Sequence, residues 1–249
     1  MKSINETGHV KNVANFEDLI SFCTAYQDNY NPTKVTITLQ ALNDQYALAQ
    51  TKITKVTSTK NAFDNVTGIR QTKFLILKPL ATKVINALSA TDALDTVIKD
   101  AKTINRKLQG SKAPTKSKPA DEAILAQPNA TVPTTISTSQ QSYDRLIDSF
   151  DRLVDLVDAE TLYNPNEAGL KVTFLKTMLS DLQVANSAVV NKYTDYSNAR
   201  IERDKLFYTN PDCLYETAQN VKKYIKSVFG ATSPEYKQVS NIKFTRINL

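Results

Sequence analysis

Seven cationic side chains, Lys99, Lys102, Arg106, Lys107, Lys112, Lys116 and Lys118, stand within twenty positions that hold a single acid, Asp100. The formal charge of the 249-residue chain is +6, so this stretch carries all of it and the remainder sums to zero. Grouped cations of this kind neutralise phosphates and give salt-sensitive, largely sequence-independent binding, which makes nucleic acid or the ribosome a candidate partner. The same residues also suit a plainer role. Lys and Arg at a helix end meet the negative end of its dipole, and a charged linker stays solvated.

A row of opposite sign follows. Asp144, Asp148, Asp151, Asp155 and Asp158 step by four, three, four and three, which places them on one face of a helix while Leu146, Ile147, Phe150, Leu153 and Val157 take the other. The row reads as a solvated face, or as a docking surface for a basic partner or for Lys99–Lys118. Carboxylates also gather divalent cations, but hard cations want several oxygens converging on one point, and a straight row diverges. No metal is therefore assigned to it.

Other chemistry is sparse. The chain has five glycines and neither a GxGxxG nor a GxxxxGK[ST] pattern, so it offers no phosphate-cradling loop. There is no GxSxG elbow, and His9 is the one histidine. Cys23 and Cys213 lie far apart, and Cys23, among Phe16, Leu19, Ile20 and Phe22, has the setting of a small buried hydrophobe. Glu202 and Asp204, flanked by Arg200, Arg203 and Lys205, have the arrangement of exposed ion pairs on a helix. No catalytic residue, cofactor or metal ligand is assigned, and the chain is read as non-enzymatic.

The elements that position these residues are helical. From Val35 to Phe74 one apolar pattern runs unbroken by proline through Val35, Leu39, Leu42, Tyr46, Ala49, Ile53, Val56 and Phe63, the seven-residue repeat of a helix packed lengthwise. A second rod follows the rule through Val172, Leu175, Leu179, Leu182, Val189, Tyr193 and Tyr196. Each is preceded by a short helix, predicted to be capped by Asn15 and by Ser142, and by a Tyr-Asn-Pro turn, Tyr30-Asn31-Pro32 and Tyr163-Asn164-Pro165. Proline is expected to end the rods at Pro79 and Pro211. Shorter helices come next, and Asp92 and Ser233 are placed to cap one more in each half. Leu39, Leu42, Tyr46, Ala49 and Ile53 align with Leu175, Met178, Leu182, Ala185 and Val189. Phe63, Asn65, Arg70 and Phe74 align with Tyr196, Asn198, Arg203 and Phe207 only if a few residues are dropped.

The expectation is an all-α protein with two tandem copies of an antiparallel helical bundle, each with one long helix of about 40 residues. The copies fall at 1–109 and 142–249, joined by a basic, Pro-, Ser- and Thr-rich flexible linker over 110–141. The Tyr-Asn-Pro turns and the late Ser233-Pro234-Glu235-Tyr236-Lys237-Gln238-Val239 give a pattern that resembles an uncharacterised family of duplicated helical proteins from Bacteroidota. That resemblance implies the duplicated fold and no activity. No apolar run approaches the roughly 18 residues of a membrane span, and the start of the chain carries no secretory pattern, so a cytoplasmic location without membrane contact is expected. The functional expectation is a scaffold or adaptor working through an unknown protein partner, with binding of nucleic acid or the ribosome by Lys99–Lys118 as the alternative. Long heptad rods also allow a homo-oligomer.

Overall fold

A computed structural model describes residues 7–110 and 141–246, and among them every regular element is helical. In chain order these are α1 (Thr7–Ala25), α2 (Leu39–Leu75), α3 (Leu77–Ser89), α4 (Asp95–Gln109), α5 (Tyr143–Ala159), α6 (Val172–Asp204), α7 (Leu214–Phe229) and α8 (Pro234–Ser240). Helix α6 runs on into a π-helical turn, Lys205–Thr209. Helix α2, at 37 residues, extends about 55 Å at roughly 1.5 Å per residue.

The chain forms two compact units that do not follow the expected division at 110–141. The first takes Met1–Asp64 and Asn191–Leu249, the second Asn65–Val190. Both boundaries fall inside the long helices, so α2 and α6 each give one end to either unit. Unit one holds α1, the first part of α2, the end of α6, α7 and α8. Unit two holds the end of α2, then α3, α4, α5 and the first part of α6. Segment 110–141 therefore begins and ends in the same unit, where α4 packs on α5. Its ends meet there. The Lys78 ammonium donates to the Gln141 Oε1 at 2.8 Å and to the Gln109 carbonyl at 3.4 Å, and Gln141 Nε2 donates to the Lys107 carbonyl at 2.9 Å. Gly110 closes α4 at φ +77°, a left-handed conformation that favours glycine, and a Cβ there would meet the end of the Gln141 side chain at 2.8 Å.

Each unit has one core. In unit one Phe16, Leu19, Cys23, Leu42, Phe207, Leu214, Val221 and Val239 are buried together; in unit two Leu77, Leu88, Leu108, Phe150, Leu153, Leu175 and Leu182 are. Removal of such side chains from water is the main drive to fold, about 1.5–3 kcal/mol for each large aliphatic or aromatic group.

The buried positions of the two sequence halves keep a common spacing. Leu42 and Leu175 stand 133 positions apart, as do Ala49 and Leu182, Val56 and Val189, and Phe74 and Phe207, and all of these are buried. Leu42 and Met178, paired in the expected register 136 positions apart, are also both buried. Leu77, Ala81, Val84 and Leu88 of α3 and Leu214, Ala218, Val221 and Ile225 of α7, which follows the π turn, are likewise all buried and stand 137 positions apart. The same spacing logic covers the turns. Tyr30 and Tyr163 are both 5% exposed and donate their hydroxyls to the carbonyls of Ile37 at 2.7 Å and Leu170 at 2.9 Å.

Local signals fared unevenly. Ser142 and Ser233 do cap α5 and α8, accepting from the amides of Arg145 and Tyr236. Asn15 caps nothing, because α1 begins at Thr7 and runs through it; its amide donates to the Lys243 carbonyl instead. Asp92 is not a cap either, since α4 starts at Asp95 after Leu94. Val35 is 75% exposed in a short 3-10 turn ahead of α2, and α2 ends at Leu75, short of Pro79, which lies in the first turn of α3.

Candidate functional site

Unit two carries most of the residues singled out in the sequence. On α4, Lys99, Lys102, Arg106 and Lys107 are all exposed, and among the described residues none forms an ion pair. The first three step by three and four, which sets them along one face of the helix. The opposite face, with Ala101 and Leu108, is buried in the core, and Val97, Ile98 and Ile104 pack beside it. Arg106 is steadied by its own helix, its guanidinium donating to Thr103 Oγ1 at 2.8 Å. Lys112, Lys116 and Lys118 lie outside the described residues.

Among the described residues the acidic row on α5 makes no ion pair with that cationic stripe. Asp144, Asp148, Asp155 and Asp158 are exposed and Asp151 is half-buried, and three of them find partners on α5 itself and α6. Asp144 accepts from Asn186 Nδ2 at 2.7 Å, Asp148 pairs with Arg152 at 3.4 Å and Asp158 with Lys176 at 2.7 Å. Asn186 is shared with Arg70, which donates to its Oδ1 at 2.9 Å while stacking 4.0 Å over the Tyr143 ring. The row thus ties α5 to α6. Among the described residues no group of three or more His, Cys, Asp or Glu side chains converges as a metal site.

Two arrangements were missed in the sequence. The first is an apolar groove of about 510 Å³ in unit two, lined by Leu75, Ile76, Pro79, Leu80, Leu170 and Phe174, with Lys83 and Glu167 also in its wall. Leu75 is 75% exposed, Ile76 53% and Phe174 42%. Phe74-Leu75-Ile76-Leu77 is four apolar residues in succession, more than one helix face can bury, and that run is the signal that was available. Phe74 and Leu77 turn into the core, leaving Leu75 and Ile76 outside.

The second is a buried polar cluster in unit one. His9, Asn12 and Arg203 are at most 1% exposed, where the sequence suggested a surface ion pair for Arg203. Arg203 forks onto Asp204 Oδ1, with Nε at 2.9 Å and an Nη at 2.7 Å, and His9 Nε2 lies 3.5 Å from the same oxygen. Burial pushes the Asp204 carboxyl up, but hydrogen bonds from His9 and Arg203 and the charge of the guanidinium outweigh it and hold the group below the usual carboxylate range. Asn12 Nδ2 donates to Tyr208 Oη at 3.2 Å and to the Thr245 carbonyl at 2.8 Å, and its Oδ1 accepts from the Thr245 amide. The His9 ring meets Phe207 edge-on at 5.7 Å. Imidazole, guanidinium and carboxylate are acid-base groups, yet His9 and Arg203 present no surface to a substrate, so the cluster joins α1 to the π turn. The expected surface pair is the neighbouring one, Glu202 with Lys205 at 2.9 Å.

Cys23 and Tyr30 are two further buried ionisable groups close together. Burial pushes the Cys23 thiol up to about 12 against a lowering hydrogen bond with Tyr30, and burial together with Cys23 also raises Tyr30. Neither is a nucleophile at neutral pH. No helix among the described residues is long and apolar enough to cross a membrane. No protein-family model, no curated protein and no solved structure matches the chain.

Proposed function

We propose that the chain is a tandem duplication of one helical repeat and serves as a non-enzymatic scaffold or adaptor, acting in the cytoplasm through a protein partner. The duplication is supported by the common spacing of the cores, by the paired tyrosine turns, and by Phe74 against Tyr143 recurring as Phe207 against His9. It agrees with the resemblance to duplicated helical proteins of Bacteroidota. In this reading the repeats exchange halves: each compact unit joins the opening of one repeat to the close of the other.

The observation that carries the adaptor role is the open apolar groove. At the corresponding positions of unit one stand Ala41 for Phe174, Glu216 for Pro79 and Thr217 for Leu80. The repeat therefore folds without large apolar side chains at these three positions, and their presence in unit two answers another demand. Ile76, Pro79, Leu80 and Lys83 follow the i, i+3, i+4, i+7 order of one helix face, the wall against which an amphipathic partner helix lies. Lys83 and Glu167 offer such a helix one charge of each sign. The occupant is thus an amphipathic helix with apolar residues on one face and both charges at its margins.

Selection of a displayed library of short amphipathic helices against the full chain tests this. Recovered peptides are expected to bind the wild type and to lose at least tenfold on Leu75→Ser/Ile76→Ser/Phe174→Ser, whose thermal midpoint stays close to wild type because these side chains are exposed. Failure to recover any peptide, or equal binding to the variant, would overturn the reading.

A further inference from the structure

We infer that the exposed face of α4 is a nucleic-acid backbone site formed by Lys99, Lys102 and Arg106, with Lys107 beside it. The three cations lie along one line, separated by roughly 4.5 and 6 Å of helix axis, a spacing of the order of successive phosphates along a strand. All are exposed and none is held by an acid among the described residues. The acids on α4 itself are Asp95, at its first residue, and Asp100. Of the carboxylates of α5, Asp148, Asp158 and Asp144 are turned to Arg152, Lys176 and Asn186, and among the described residues neither Asp151 nor Asp155 pairs with the stripe.

Other polyanions fit less well. A membrane surface would want the apolar face of an amphipathic helix, and in α4 that face is spent on the core around Ala101 and Leu108. An acidic protein would want an apolar centre beside the charges, whereas Lys is depleted from the centres of protein interfaces and the stripe is interleaved with Thr96 and Thr103. What remains is a string of like charges with no bases to read, the signature of contacts that position rather than specify.

Fluorescence anisotropy of the full chain with a labelled 30-base-pair duplex and a 30-nucleotide RNA tests the site. With three phosphates engaged, the affinity falls about 40-fold for the duplex and about 20-fold for the single strand between 50 and 200 mM salt. The triple variant Lys99→Gln/Lys102→Gln/Arg106→Gln is expected to bind at least tenfold more weakly and to lose most of that salt slope. Lys223→Gln/Lys237→Gln, which neutralises exposed lysines of unit one, should bind as wild type does. Absence of binding at 50 mM salt, an unchanged triple variant, or equal losses in both variants would overturn the site. So would tighter binding to phosphatidylserine vesicles than to either nucleic acid, lost in the triple variant, since the partner would then be a lipid surface.

Discussion

Tyr163 donates its hydroxyl to the carbonyl of Leu170, seven residues ahead, at 2.9 Å. The bond closes the turn between α5 and α6, and Tyr30 closes the turn between α1 and α2 in the same way, onto Ile37 at 2.7 Å. Burial pushes the Tyr163 hydroxyl up to about 12, with Glu167 adding to the effect, so both rings stay protonated donors at neutral pH. Removing either hydroxyl costs about 1 kcal/mol. Tyr30→Phe and Tyr163→Phe are expected to lower the urea midpoint by similar amounts without changing the helix content measured by circular dichroism.

Asp204→Asn removes the carboxylate that faces the buried Arg203. Breaking a buried ion pair costs about 3 kcal/mol, and the loss should depend on pH. A carboxyl held below its usual value contributes stability above its unfolded value, near 3.9, and that contribution disappears as pH falls through the folded value. The gap between wild type and variant in urea denaturation is therefore expected to be full at pH 7, unchanged at pH 5 and closing below about pH 4. A gap of constant size down to pH 2 would show that the pair carries no such contribution.

Cys23 has no exposed surface, and its thiol is raised to about 12. At pH 8 roughly one molecule in ten thousand carries the thiolate. Iodoacetamide should leave Cys23 unmodified in the folded protein and alkylate both cysteines in guanidinium chloride, as read by mass spectrometry. Alkylation of Cys23 at equal rates in both conditions would contradict its packing.

Cutting the chain between α4 and α5 should not separate its halves. Each unit contains helices from either side of 110–141, so both fragments share both cores. A protease site placed after Gln127 is expected to give two chains that elute together at the size of the uncut protein and melt in one transition. Two separated fragments would restore the simple arrangement of one bundle for each half.

Much of the fold was legible. Proline-free heptads marked α2 and α6, the Tyr-Asn-Pro turns marked their beginnings, and Ser142 and Ser233 marked two caps. What misled was ambiguity within a helix face. Positions three and four apart share that face, so Leu42 can be matched to Met178 as readily as to Leu175, and burial does not separate them, since all three are buried. The beginning of α1 was hidden because its first inward residues are His9 and Asn12, which satisfy each other's surroundings with Asp204, Tyr208 and Thr245 and carry no apolar signal. The gathering of unit one from both ends of the chain was beyond reach for a related reason. A heptad announces that a helix has a partner without naming it, and α2 finds its companions in residues that follow 190 as well as those before it.

Only the second unit is written in the gene as one uninterrupted stretch, 65–190. Helix α1 leaves the ribosome before α7, at residue 214 and beyond, and at about 5–20 residues per second the interval is roughly 10–40 s. Throughout that interval Phe16, Leu19 and Cys23 lack their final cover. A pause or truncation late in translation therefore strands α1.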